Sequence, residues 1–267
     1  MSEPLIAKRL AFVATEKCTL KCKLCCNYMH EYTNPAHISE SVLKNDISKC
    51  FELFDHVEWL QFVGGEVFMN RDMVKIYNYC IDTYSDKFDK LIIMTNATLL
   101  PTEDETATLR RYGKRLEILI SDYGHLSAKK DEFIEMLTKN NFAYRIKAYH
   151  GDIQYYGGWY NNTNIEDLGE SFEDIKSKLY QCHQVGLQNM HCYNGQLHPC
   201  SVSAFLSNLK KVIPGKVDYI DLNDDRVSIK EKRVLLQNFH KIPVEACRFC
   251  KFKNAETAER FPAAAQR

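Results

Sequence analysis

Neither sign of charge predominates in this chain: Lys+Arg and Asp+Glu number 35 each, and the formal net charge is zero. Nucleic-acid-binding domains usually carry a basic excess, so the balance argues against a nucleic-acid partner. No apolar run approaches the roughly 20 residues needed to cross a bilayer as a helix. The start, Met1-Ser2-Glu3-Pro4-Leu5, lacks the apolar stretch of a secretory signal. The expectation is a cytoplasmic protein without membrane or nucleic-acid partners. Internal repeats, low-complexity tracts and long linkers are also missing. The 267 residues suit one large domain or a domain with a small appendage, and 45% hydrophobic content allows a sizeable core.

Cysteine, by contrast, is plentiful, with eleven residues. A reducing compartment disfavours structural disulfides, so clustered cysteines there point to metal binding or chemistry. Cys18, Cys22, Cys25 and Cys26 crowd the N-terminal part, and Cys182, Cys192, Cys200, Cys247 and Cys250 the last third. Only Cys50 and Cys80 lie between them.

The first 150 residues alternate two periodicities. Residues 10–15, Val57 to Val63, Leu91 to Met94, Leu116 to Ile120 and 142–148 read as strands. Between them, 40–54, 71–84, the segment opened by Thr102 and Glu105, and 128–139 read as helices, with Ser39 and the Thr102/Glu105 capping box marking two starts. This βαβα order predicts a parallel sheet covered by helices, with functional groups at the carboxyl ends of the strands. Residues 149–162 are rich in aromatics and glycine and read as a loop. The tail from Ala255 to Arg267 is expected to begin helical and fray.

Cys18, Cys22 and Cys25 form C-x3-C-x2-C directly after the first expected strand. Three thiolates can hold three irons of a 4Fe–4S cube and leave the fourth open to an exogenous ligand. Zinc is the alternative on spacing alone, although zinc sites usually pair cysteines in two distant groups. The motif, with apolar Leu24 before its third cysteine, resembles the radical S-adenosylmethionine (SAM) superfamily. Three further segments are similar to that family's motifs. Gly64-Gly65-Glu66 looks like the segment that binds the SAM amino group. Thr95-Asn96 looks like the family's T-N-G, with Ala97 in place of the glycine. Ser121-Asp122 resembles the region near the ribose. The resemblance covers residues 10–150 and implies an α/β fold with a partial (β/α)6 TIM-like barrel, a SAM-binding 4Fe–4S cluster and a 5′-deoxyadenosyl radical.

Further on, Cys182, Gly195, Cys200, Cys247 and Cys250 are spaced C-x12-G-x4-C…C-x2-C. The spacing is similar to the twitch domain, the shortened SPASM extension of radical SAM enzymes, and implies one auxiliary 4Fe–4S cluster. Structural zinc would use the same residues. Cys192 is ambiguous: a substitute ligand, a hydrogen-atom donor or a buried thiol. The division implied is a partial barrel over 1–165 and a twitch domain over 166–267.

The pattern and size look most like the twitch-bearing dehydrogenases that act on 2-deoxy-scyllo-inosamine. By that analogy the radical oxidises a carbinol carbon of a sugar or cyclitol, and the auxiliary cluster takes an electron. Flavodoxin or ferredoxin is the reductant expected. Arg145, Lys147 and His150 are candidates for the base or for substrate hydrogen bonds. Tyr155, Tyr156, Trp159 and Tyr160, with Asp152 and Asn161, either stack on a substrate ring or cover the open barrel end. A radical SAM epimerase using Cys26, Cys50, Cys80 or Cys192, a peptide maturase, and a zinc-stabilised interaction protein are the alternatives.

Overall fold

The computed structural model describes residues 3–155, 159–161, 165–251 and 259–267. The chain opens with five strands separated by four helices: β1 (Ile6–Thr15), α1 (Glu40–Leu53), β2 (His56–Gly64), α2 (Met73–Tyr84), β3 (Phe88–Thr95), α3 (Glu103–Arg110), β4 (Leu116–Asp122), α4 (Lys130–Lys139) and β5 (Ala143–Ala148). The strands lie side by side in chain order, all parallel. The helix starts follow from the capping residues. Ser39 accepts a hydrogen bond from the Val42 amide, and Thr102 and Glu105 close a reciprocal capping box, each satisfying amides that a helix start leaves without partners.

The two sheet faces differ in chemistry. Leu10, Phe12, Leu60, Phe62, Leu91, Ile93, Ile118 and Ile120 alternate onto one buried face. Phe62 meets Tyr77 of α2 edge-on at 5.6 Å, which places the helices on that side. Burial of each such side chain stabilises the fold by about 1.5–3 kcal/mol. The opposite face carries Arg9, whose guanidinium lies 4.3 Å from the Trp59 ring, and Arg145, ion-paired with Glu117.

The resemblance implies six barrel strands, and five stand in chain order among the described residues. The sheet instead grows at its other edge. After α5 (Phe172–Leu179) and α6 (His183–Leu187), strand β6 (Asn189–Tyr193) pairs in parallel with β1, not with β5. Asn194 and Gly195 turn it back with φ of 49° and 79° into β7 (Gln196–His198). Two consecutive left-handed residues, Asn then Gly, are the chemistry of a type I′ hairpin turn. Helix α7 (Ser201–Asn208), strand β8 (Ile220–Asp221) and helix α8 (Ile229–Leu236) follow. One eight-stranded sheet, β5-β4-β3-β2-β1-β6-β7-β8, therefore runs through both regions that the cysteine spacing separates. No helix among the described residues is long and apolar enough to cross a membrane.

Candidate functional site

The carboxyl ends of β1 to β4 converge on the N-terminal cysteine loop. Cys18, Cys22 and Cys25 leave β1 on that loop, none of them joined in a disulfide. The end of β2 is pressed against its base: the Gly65 amide donates to the Thr15 carbonyl and the Glu66 amide to the Lys17 carbonyl, both at 2.9 Å. A Cβ on Gly65 would stand 2.0 Å from the Lys17 oxygen, and one on Gly64 2.2 Å from the Thr15 oxygen. Two glycines are needed because backbone packs on backbone here. Asn27 donates to the Gly64 carbonyl at 2.8 Å and closes the loop from its far side.

Glu66 lies wholly inside this junction. One carboxylate oxygen accepts from Thr95 Oγ1 at 2.9 Å and the Phe68 amide at 3.3 Å, the other from the Asn96 amide at 2.8 Å. Burial pushes its carboxyl up to about 7 against these three donors. Its oxygens are turned to the β3 loop, so Glu66 ties the ends of β2 and β3 together. Asn96 completes the network by directing Nδ2 at Cys18 Sγ, 3.6 Å away, and at Thr19 Oγ1, 3.2 Å away. Ala97 takes the left-handed φ of 53° that a glycine would favour, so the departure from T-N-G leaves the turn intact.

A second network sits at the ends of β4 and β5. Asp122 accepts from Lys130 Nζ at 3.0 Å, the Gly124 amide at 2.9 Å and His150 Nε2 at 3.2 Å. Burial opposes its charge, but these donors outweigh burial and hold the carboxyl below its usual range. The Ser121 carbonyl accepts from Ser127 Oγ at 3.3 Å. Of the three candidate bases, His150 alone is joined to this network. Arg145 is paired with Glu117 and faces Trp59 at 5.8 Å, and Lys147 lies 5.1 Å from the Tyr149 ring.

The described part of the aromatic loop covers the cysteine loop. Tyr123, Tyr149 and Trp159 pack with centroids 5.5–6.3 Å apart. They share an apolar cluster with Leu20, Cys22, Leu24, Cys25, Leu126, Ala263 and Ala264. Trp159 and Tyr160 are buried, while Asp152, Tyr155 and Asn161 are exposed. Tyr156 lies outside the described residues. Of the tail, 255–258 lie outside them too. Residues 263–267, expected to fray, instead run along the cysteine loop and form an antiparallel bridge between Gln266 and Cys22.

Among the second group, Cys182 occupies the N-cap position of α6 without a side-chain capping bond, and Cys200 caps α7, where its sulfur accepts from the Ser203 amide at 3.5 Å. Cys247 and Cys250 stand in and just after a short 3-10 turn, Glu245–Phe249, that packs against α7. Burial pushes Cys200 up to about 12 and Cys247 up to about 11, and each is raised further by the thiol of Cys182. Among the described residues no three His, Cys, Asp or Glu side chains gather round a single-ion site. Cys192 is buried against Cys50 and Asp46 of α1, on the helix-covered face. His191 and His198 pair across the hairpin, and burial drives them down to about 4 and about 3. His198 is held by Ser203 Oγ at 3.0 Å and Gln196 at 3.3 Å.

Tyr28 belongs to no sequence motif. It is buried between the two cysteine groups, and after burial itself the thiols of Cys250, Cys200, Cys26 and Cys25 raise its phenol.

The N-terminal donor set fits an iron–sulfur cluster. Three unlinked thiols share one loop, burial raises Cys18 to about 11, and side-chain amides of Asn96 and Gln266 point at two of the sulfurs. Such thiols lose their protons readily only to a metal centre.

Residues 8–140 match the model of the family described as a 4Fe-4S single cluster domain. MJ0907, an uncharacterised protein of Methanocaldococcus jannaschii, is 34% identical over 94 residues, which are 35% of this chain and 32% of that relative. The chain thus matches about a third of the length of its curated relative. Among solved structures, BtrN in complex with AdoMet and 2-DOIA shares the fold. The TM-score is 0.55 at 15% identity, covering 91% of this chain and 93% of BtrN. SuiB of Streptococcus suis, solved bound to S-adenosylmethionine, overlaps with a TM-score of 0.49 at 13% identity, over 93% of this chain and 70% of SuiB.

Proposed function

We propose that this chain is a radical SAM oxidoreductase that oxidises a carbinol carbon of a small sugar- or cyclitol-type molecule. The observation carrying this reading is the convergence of Cys18, Cys22 and Cys25 with Gly64, Gly65, Glu66, Thr95 and Asn96 at one sheet edge. In this reading the three thiolates hold a 4Fe–4S cluster one protein ligand short, and Cys182, Cys200, Cys247 and Cys250 hold a second, fully ligated one. Bound there, a cluster with SAM would supply a 5′-deoxyadenosyl radical able to take hydrogen from carbon, and a second cluster held by Cys182, Cys200, Cys247 and Cys250 would supply an acceptor for the remaining electron. The protein's own part is geometric and protonic. Gly64 and Gly65 let backbone approach the cofactor, and Glu66 fixes the Thr95-Asn96 turn. Ser121 and Asp122 border the nucleoside side, and Tyr123, Tyr149 and Trp159 keep water from the cysteine loop. His150, oriented by Asp122, accepts the hydroxyl proton of the substrate. A reductant such as flavodoxin or ferredoxin completes the scheme. The fold shared with BtrN and the 4Fe–4S family match support this reading.

Anaerobic purification tests it. About eight irons per chain are expected, the content of two 4Fe–4S clusters. Cys18, Cys22 and Cys25 changed together to Ala should abolish 5′-deoxyadenosine release while the second cluster's absorbance persists. A colourless protein containing zinc would end the proposal.

One observation favours a second reading, a radical epimerase. Cys26 is exposed as a residue, and its thiol lies near Lys147, Tyr123 and Tyr149. A thiol there can return hydrogen to the opposite face of a substrate. Deuterium from solvent in the product, lost in Cys26→Ala, distinguishes this from a dehydrogenase, which forms a carbonyl.

A further inference from the structure

Ala263-Ala264-Ala265-Gln266-Arg267 carries no motif, yet the fold applies it directly to the N-terminal cysteine loop. The Lys23 amide donates to the Ala265 carbonyl at 2.8 Å and the Arg267 amide to the Lys21 carbonyl at 2.9 Å. Ala264 is 1% exposed and packs with Cys22 and Trp159. Arg267 donates to the His30 carbonyl at 3.0 Å and faces Glu31 at 3.7 Å. Held this way, the Gln266 side chain has little freedom. Its Oε1 accepts from the Lys21 amide at 2.7 Å, and its Nε2 donates to the Ala264 carbonyl at 2.6 Å and to Cys22 Sγ at 3.4 Å.

We propose that Gln266 is a positioning residue that sets the reduction potential of the N-terminal cluster through its hydrogen bond to Cys22. An N–H aimed at a ligand sulfur withdraws electron density from it. It stabilises the reduced, more negative cluster over the oxidised one, and hydrogen bonds to sulfur and solvent exposure are among the terms that set cluster potentials. Asn96 acts in the same sense on Cys18, but from a loop local to the sheet edge. Gln266 does so from 244 positions along the chain, so the same segment that shields the loop also tunes it. The inference rests on reading Cys22 as a cluster ligand.

The test is a redox titration of the full chain, reconstituted anaerobically and followed by electron paramagnetic resonance. The N-terminal cluster is recognised by the change in its signal when SAM is added. Gln266→Glu keeps the oxygen that accepts from Lys21 but replaces the donor with an anionic oxygen. The expected result is wild-type iron content with a potential lower by about 59 mV, a tenfold change in a one-electron equilibrium. Gln266→Met, neutral and without a donor, should shift it the same way by less, and serves if the carboxylate variant loses its cluster. Arg267→Ala removes the anchor to His30 and Glu31 without touching sulfur and should leave the potential unchanged. Unchanged potentials in both Gln266 variants, or an equal fall in Arg267→Ala, would overturn the inference while leaving the cluster assignment standing. Absence of iron–sulfur absorbance from the reconstituted wild type would remove the assignment and the inference together.

Discussion

At the scale of single residues, three positions at the sheet edge carry separable physics. Gly65 has no space for a side chain, since its Cβ would lie 2.0 Å from a backbone oxygen. Gly65→Ala must therefore push the β2 end off the cysteine loop, and iron retained after reconstitution is expected to fall steeply. Ala97 shows the opposite economy. A left-handed alanine costs about 1–2 kcal/mol relative to glycine, and glycine gives back about 0.4–1 kcal/mol through unfolded-chain entropy. Ala97 is also wholly buried, so the glycine loses about 0.8 kcal/mol of methyl burial, and Ala97→Gly should stay within about 1 kcal/mol of the wild type in urea denaturation. Glu66, with its native value near 7 and an ordinary value of 4.5, binds its proton more tightly folded than unfolded. Between about pH 4.5 and 7 the unfolded state ionises first, so stability falls as pH rises, by about 3 kcal/mol in order of magnitude. Glu66→Gln should lack that slope.

At the scale of elements, the β6–β7 hairpin works in the reverse sense. His191 and His198 are buried and neutral, at about 4 and about 3 rather than 6.5. The unfolded chain protonates them first, so their contribution is intact above about pH 6.5 and is lost as pH falls through the acid range. The two effects oppose each other between pH 4.5 and 6.5. A Glu66→Gln variant should therefore gain stability with rising pH over that interval more steeply than the wild type. Hydrogen exchange should locate the acid-sensitive element. Amides of residues 190–193 are expected to open more readily at pH 5 than at pH 7 once intrinsic rates are corrected. Equal protection at both values would place the acid sensitivity elsewhere.

At the scale of the molecule, the pairing of β6 with β1 joins the cysteine-rich region to the βα repeats through main-chain hydrogen bonds. Strand β1 is central in the sheet and loses one neighbour if the chain is cut at residue 165. A bared apolar edge is an aggregation site. A fragment of residues 1–165 is expected to be insoluble or only partly folded by circular dichroism, whereas the whole chain should unfold in one transition. Independent folding of the fragment would show that the sheet junction is dispensable.

Much of the fold is written in short-range patterns, because helix caps and side-chain periodicity are local chemistry. Ser39, the Thr102/Glu105 box, and the alternation along β2 to β5 mark elements that lie within a few residues of their expected limits. The cysteine loop and the motifs after β2, β3 and β4 were legible for the same reason, since parallel strands bring their carboxyl ends together wherever the helices between them form. The Asn194-Gly195 dipeptide is also a local hairpin signal, although only Gly195 enters the sequence analysis, as part of the cysteine spacing. Three things had no local signature. They are the pairing of β6 with β1, the burial of Cys192 against α1 and the return of Gln266 to Cys22. Each joins residues more than 140 positions apart, and such contacts follow from which surfaces remain uncovered once the sheet has formed, a property no stretch of the chain holds alone.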